Sequence, residues 1–177
     1  MILPVLRLGH PALREKAEPV GPNELRSPLT QRLIDDMVDT LRRLDGAGLA
    51  APQVGVLKRI VVIETREPNP RRPDEQPLSL SVLINPQIVK RSKEKAEDWE
   101  GCLSIPELRG LVPRHVRVLG HARDRKGRAL EFSAAGFAAR VMQHEVDHLC
   151  GLVFLDRMRS MRSLAYGAEL AARLQEQ

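Results

Sequence analysis

The chain has 177 residues, of which 42% are hydrophobic and 29% charged, the make-up of a soluble globular protein long enough to bury one sizeable core. Aromatic residues amount to 3%, with one Trp and one Tyr, so the core has to be mainly aliphatic and an extended stacking platform for single-stranded nucleic acid is not expected. The net charge of +5 suits weak attraction to a polyanion such as the ribosome surface, but the arginines are scattered and a solubilising surface is the plainer reading; no specific nucleic-acid binding is expected.

A long apolar run, a secretory h-region and an Arg/Ser-rich transit segment are all missing, so no membrane partner is expected. The expected setting is cytoplasmic, with a mature organellar form as the alternative. Cys102 and Cys150 then read as free thiols in a reducing compartment, one of them available as a ligand.

Residues 1–25 read as extended chain punctuated by Pro4, Pro11, Pro19 and Pro22, with His10 in a turn and without a role. An amphipathic helix follows: Ser27 caps it, Pro28 fits its first position, and Leu33, Ile34, Met37, Val38, Leu41 and Leu44 form its buried stripe up to Gly46. Gly46–Gly55 is dense in small residues, which lets backbone approach a ligand or another strand closely. Taken alone it is a tight packed turn, but Gln53 is its one side chain with a directed N–H donor for a developing oxyanion. Arg59–Glu64 is a short buried strand. Residues 66–77, carrying Pro68, Pro70, Pro73 and Pro77 among mixed charges, form a loop inserted within a domain. Leu78–Ile84 and Gln87–Val89 continue the β pattern, broken at Asn85-Pro86.

Within 98–106, Cys102 follows a glycine and precedes an apolar pair; it is either a buried structural cysteine or a thiolate facing a cleft. Arg109 and Arg114 flank Pro113 as surface charges or as anchors for a substrate's peptide chain. Val116–Ala122 and Ala129–Phe132 form a hairpin about 125–127, in which His115 and His121 have no assigned role. The stretch Gln143-His144-Glu145-Val146-Asp147-His148 belongs to a helix, because Phe137, Val141, His144 and His148 recur at helical spacing between a cap at Ser133 and a stop at Gly151. His-Glu-x-x-His sets two imidazoles one turn apart, where both reach one divalent metal, with a carboxylate beside them to take a proton from water. The bland alternative is a helix that carries two histidines and solvated acids. A last helix from about Ser160 presents Met161, Leu164, Ala168, Ala171 and Leu174 on one side. The elements add up to one α+β domain over 1–177, with mainly antiparallel β-sheet packed around a central His-Glu-x-x-His helix, plus an N-terminal and a C-terminal helix.

Three of these stretches fit one site. A Cys102 thiolate with His144 and His148 makes a tripod with a fourth position open, the layout of a hydrolytic rather than a structural metal centre. Glu145 would serve as general base and then general acid, and Gln53 with the backbone N–H of Leu103 would face the oxyanion of a tetrahedral intermediate.

The motifs resemble those of the peptide deformylases, in the family's order: Gly-x-Gly-Leu-Ala-Ala-x-Gln at Gly46–Gln53, Glu-Gly-Cys-Leu-Ser at Glu100–Ser104, and Gln-His-Glu-x-Asp-His at Gln143–His148. Pro11–Arg14 and Glu18–Val20 are similar to the family's start, so the resemblance runs from about residue 4 to 160. It implies removal of the formyl group from the N-terminal formyl-methionine of new polypeptides, with N-formylmethionyl nascent peptides as partners. It also implies Cys102, His144 and His148 as ligands of one divalent metal, Glu145 as the proton carrier, and Gln53 and the Leu103 amide as oxyanion donors. Gly48 and Ala47 would border the substrate, Arg109 would contact its chain, and Glu100 would support a ligand from behind. Family usage points to Fe2+, with Zn2+ or another transition metal as the alternative, since thiolate and imidazole accept both. Ala47 is smaller than the branched residue common there. The insertion at 66–77 and the run Gly136–Arg140 look like the organellar-type branch, and no Lys-rich tail is present to dock on a ribosome. Two other readings stand beside this one: a zincin-like metallopeptidase, suggested by His-Glu-x-x-His alone, and a polyanion-binding module with a structural metal.

Overall fold

The structure, a computed structural model, describes residues 1–65 and 76–175. The chain runs through α1 (Pro22–Arg26), α2 (Pro28–Arg43), β1 (Gly48–Ala50), β2 (Ile60–Ile63), β3 (Ser81–Arg91), β4 (Lys95–Cys102), β5 (Ile105–His115), β6 (Arg117–Arg123), β7 (Ala129–Ala135), α3 (Gly136–His148), β8 (Ala165–Tyr166) and α4 (Gly167–Gln175). The strands form a five-stranded sheet in the order β1-β2-β3-β6-β7 and a three-stranded sheet in the order β4-β5-β8. Every strand pairing within them is antiparallel, so the architecture is mixed α+β as the sequence leads one to expect.

β2 explains how two helices share one sheet. Val61 and Ile63 pack in one cluster with Ala139, Val141, Met142 and Leu149 of α3 and the residue after it. Ile60 and Val62 point the other way, into a cluster with Ile34, Met37, Val38 and Leu41 of α2. A strand covered on both faces needs a continuous apolar run, and Ile-Val-Val-Ile is that run. A third cluster, with Cys102, Ile105, Val112, Val153 and Phe154, lies under the smaller sheet. α3 packs against β1 and β7 and also touches β5, so it sits where the two sheets meet.

Several local expectations need correcting. Residues 1–25 are not simply extended: Pro11–Arg14 is a 3-10 turn and Pro22–Arg26 is α1. Pro11 and Pro22 open these elements, because proline lacks only an N–H that the first turn leaves free anyway. α2 is capped as expected, with the Thr30 N–H donating to Ser27 Oγ at 3.2 Å. It stops at Arg43, short of Gly46, because Asp45 takes φ 54° and turns the chain away. β3 runs straight through Asn85-Pro86. Asn85 bulges at φ 52°, and its side-chain amide bonds both the N–H and the C=O of Val20, at 2.8 and 2.9 Å. α3 begins at Gly136 rather than after a Ser133 cap, since Ser133 is still in β7 and Gly136, at φ 54°, turns strand directly into helix. The last helix starts at Gly167; Met161–Ser163 is a 3-10 turn and Ala165–Tyr166 a strand, and among the described side chains of α4 Leu170 is the buried one. The expected loop over 66–77 lies outside the described residues apart from Gln76 and Pro77, as does the Leu174 side chain.

Candidate metal centre

Cys102 is the last residue of β4, and its pairing with Ile105 leaves only Leu103 and Ser104 to turn the hairpin into β5. That tight turn presses the thiol against α3, where Cys102 Sγ lies 3.3 Å from His148 Nε2. One ligand atom from each of Cys102, His144 and His148 falls within 4.8 Å of the others. Donors bound tetrahedrally to one ion, with bonds of about 2.0–2.3 Å, stand about 3.3–3.6 Å apart, so the cluster has the dimensions for a single metal. Both cysteines are free, and Cys150 is exposed.

The electrostatics suit a cation. Burial pushes His144 down, but hydrogen bonds to Cys102 and Glu100, and the charges of Cys102 and Glu145, outweigh it and hold the imidazole well above its ordinary value. A proton gathers there because negative groups converge on it, and a divalent ion answers the same field. His148, lowered well below its ordinary value by burial and by the charges of His144 and Arg114, is neutral and offers a lone pair.

Glu145 is 3% exposed, and its Oε2 has no hydrogen-bond partner among the described residues. Burial pushes its carboxyl up to about 7. A buried oxygen without a partner calls for explanation, and this one belongs to the residue after His144 in the donor cluster. Gly48, in β1, lies over it: a Cβ at Gly48 would stand 2.4 Å from Glu145 Oε1.

Gln53 follows β1 in a 3-10 turn and is 1% exposed. Its Oε1 accepts from the Ala50 N–H at 2.8 Å, which turns Nε2 toward Cys102 Sγ and Ser104 Oγ at 3.4 and 3.2 Å. Leu103 and Ala47, the neighbours in sequence of Cys102 and Gly48, are half-buried. The half-buried Arg109 lies across Gly101, where a Cβ would meet its Nη1 at 2.6 Å, one residue from Cys102. Arg114 corrects the sequence reading: it is 5% exposed, neither a surface charge nor an anchor for substrate. Its guanidinium bonds Glu100 through Nε and Nη2 at 2.9 and 3.0 Å and Asp147 through Nη1 at 2.5 Å. Arg140 and Asp147, to which sequence reasoning gave no role here, belong to the same buried network. The signal for them was spacing, because Arg140, His144 and Asp147 fall on successive turns of a helix that buries nearly all of its surface.

A mixed α and antiparallel β body with a Cys-His-His cluster and a buried acid defines a metal-dependent hydrolase. A model of the polypeptide deformylases matches residues 2–163, and the chain belongs to this family, whose members remove the N-formyl group from nascent polypeptides. Peptide deformylase 1 of Nitrosomonas europaea is 43% identical over 166 residues, covering 94% of this chain and 93% of that protein. Peptide deformylase 1A of Arabidopsis thaliana, chloroplastic/mitochondrial, is 42% identical over 162 residues, covering 87% of this chain and 60% of that protein. The class I type b peptide deformylase of Acinetobacter baumannii with Met-Ala-Ser bound superposes with a TM-score of 0.85 at 41% identity, over 89% of this chain and 99% of that one. The endopeptidase reading suggested by His-Glu-x-x-His is not favoured, because that pentapeptide falls within a deformylase sequence. Among the described residues no helix is long and apolar enough to cross a membrane.

Proposed function

We propose that Cys102, His144 and His148 hold one divalent metal, Fe2+ with Zn2+ as a substitute, and that Glu145 moves the proton in hydrolysis of N-formylmethionyl peptides. The observation that carries this is the convergence of three donor atoms within 4.8 Å beside the unpartnered Oε2 of Glu145. A divalent ion at these donors acidifies water and polarises a carbonyl. Glu145 takes a proton from the attacking water as the water oxygen bonds to the formyl carbon. Charge builds on the carbonyl oxygen, and Gln53 Nε2–H and the Leu103 N–H donate to it. Glu145 then returns the proton to nitrogen as the C–N bond breaks, giving formate and a free α-amine. Gly48 and Ala47 line the substrate backbone and Arg109 holds its chain. Residues 1–177 act as one catalytic domain of cytoplasmic or organellar location, and attraction to the ribosome surface is weak and electrostatic.

Protein purified without oxygen and loaded with Fe2+ is expected to release formate from formyl-Met-Ala-Ser, to stop when the metal is chelated, and to resume when it is restored. Cleavage of internal bonds in an unformylated peptide without formate release would contradict the proposal. Gly48→Ala provides a second check. The added methyl displaces the Glu145 carboxylate, so formate release is expected to fall roughly 100-fold, the usual cost of an ångström-scale misplacement. Metal content stays at one per chain, whereas full activity in this variant would count against a Glu145 carboxylate held in one fixed place.

A further inference from the structure

Glu100 is saturated. Its Oε1 accepts from Arg114 Nε and Arg140 Nη1 at 2.9 and 2.8 Å, and its Oε2 accepts from Arg114 Nη2 and pairs with His144 Nδ1 at 3.0 and 2.9 Å. A carboxylate offers about four such directions, so its orientation is fully determined. Because Nδ1 of His144 is taken by Glu100, its lone pair at Nε2 is the one left for the cluster.

Arg140 does more than complete this set. Besides Glu100, its guanidinium donates to the Val112 carbonyl through Nη1 at 2.7 Å and to the Ala96 carbonyl through Nη2 at 2.8 Å. Ala96 is in β4 and Val112 in β5, the two strands of the hairpin whose tip carries Cys102. Arg140 itself stands one helical turn before His144 on α3 and is 7% exposed. One side chain therefore ties the helix that bears both imidazoles to both strands of the hairpin that bears the thiol. A buried ion pair is often no more stable than apolar packing of the same volume, so stability alone is a weak reason for placing an arginine here.

We infer that Arg140 is a positioning residue that sets metal affinity, by holding Glu100 on His144 and by fixing the Cys102 hairpin against α3. The inference rests on the ligand set proposed above. Arg140→Met keeps the apolar stem and loses all three contacts; Arg140→Lys keeps a charge for Glu100 but has no planar fork to span both strand carbonyls.

The test is anaerobic Co2+ titration of wild type, Arg140→Lys, Arg140→Met, Glu100→Gln and the Arg140→Met/Glu100→Gln double variant. It reads the dissociation constant by chelator competition, the thiolate-to-cobalt charge-transfer band, and kcat and KM. Arg140→Met is expected to bind the metal roughly 10–100-fold more weakly, with an altered charge-transfer band and with kcat reduced more than KM is changed. Arg140→Lys should recover part of the affinity, and the double variant should lose less than the two single losses combined. If Arg140→Met does not fold, the lysine variant decides: weaker affinity and an altered band support the inference. Wild-type affinity and spectrum in the folded Arg140 variants, with only their melting temperature lowered, would overturn it. Wild-type protein without any thiolate-to-cobalt band would instead overturn the ligand set on which it rests.

Discussion

Glu145→Gln is expected to keep its metal and to lose formate release by roughly 10²–10⁴-fold, the range over which a positioned proton carrier contributes. Glutamine fills the same space at this 3% exposed position, so the packing of α3 over β1 is unchanged. The substitution removes the basic oxygen and nothing among the metal donors. Among the described residues Glu145 Oε2 has no hydrogen-bond partner, so the change breaks no hydrogen bond at that oxygen. Assays of formate and metal on the same sample check this. A loss below tenfold at full metal content would mean that another group carries the proton.

Arg114→Met carries the largest expected cost to the fold. Arg114 pairs with Glu100 bidentately and with Asp147, all three buried, and Asp147 is held in turn by Arg157 at 2.7 and 3.0 Å. Removing the cation takes two hydrogen bonds from buried Glu100 and one from buried Asp147, leaving Arg140, His144 and Arg157 to hold them, and a cost of about 3–5 kcal/mol is usual for breaking a buried ion pair. Urea unfolding monitored by circular dichroism should therefore show a lower midpoint at an unchanged slope, while an unchanged midpoint would count against this assignment.

The same network fixes the response to acid. Burial pushes the Glu100 carboxyl up, but hydrogen bonds and charges from His144 and Arg114 outweigh it and hold it well below the usual carboxylate range. A carboxyl that is more acidic folded than unfolded stabilises the fold fully above its unfolded value. That contribution is thus complete above the ordinary value of 4.5 and declines as pH falls below it toward the folded value. Arg114→Met should lose part of this acid dependence.

Much of the site was legible because its chemistry lies in short contiguous runs. His144, Glu145 and His148 are placed by helical spacing alone, and Cys102 and Gln53 by motifs that need only be brought together. β2 was legible as a buried run, and α2 through Ser27, Pro28 and the part of its stripe from Ile34 to Leu41; Leu44, expected in that stripe, lies beyond the helix end and is 41% exposed. The supporting charges were not legible, because the partners of Arg114, Arg140 and Asp147 are distant in sequence and a charged residue at the surface reads the same as one inside. Chain direction at Asp45, Asn85 and Gly136 was missed for a related reason. Each adopts a left-handed φ, and the surrounding contacts rather than the local sequence make that conformation worthwhile. The C-terminal segment misled because apolar residues from Met161 to Ala171 keep helical spacing across a 3-10 turn and a short strand.

X-ray absorption at the zinc edge of zinc-loaded protein tests the centre most directly. One sulfur scatterer at about 2.3 Å and two imidazole nitrogens at about 2.0–2.1 Å are expected, with a light-atom ligand completing the shell. The sulfur should vanish in Cys102→Ala. A wild-type spectrum of nitrogen and oxygen scatterers alone, in a sample that releases formate, would contradict the Cys102-His144-His148 centre.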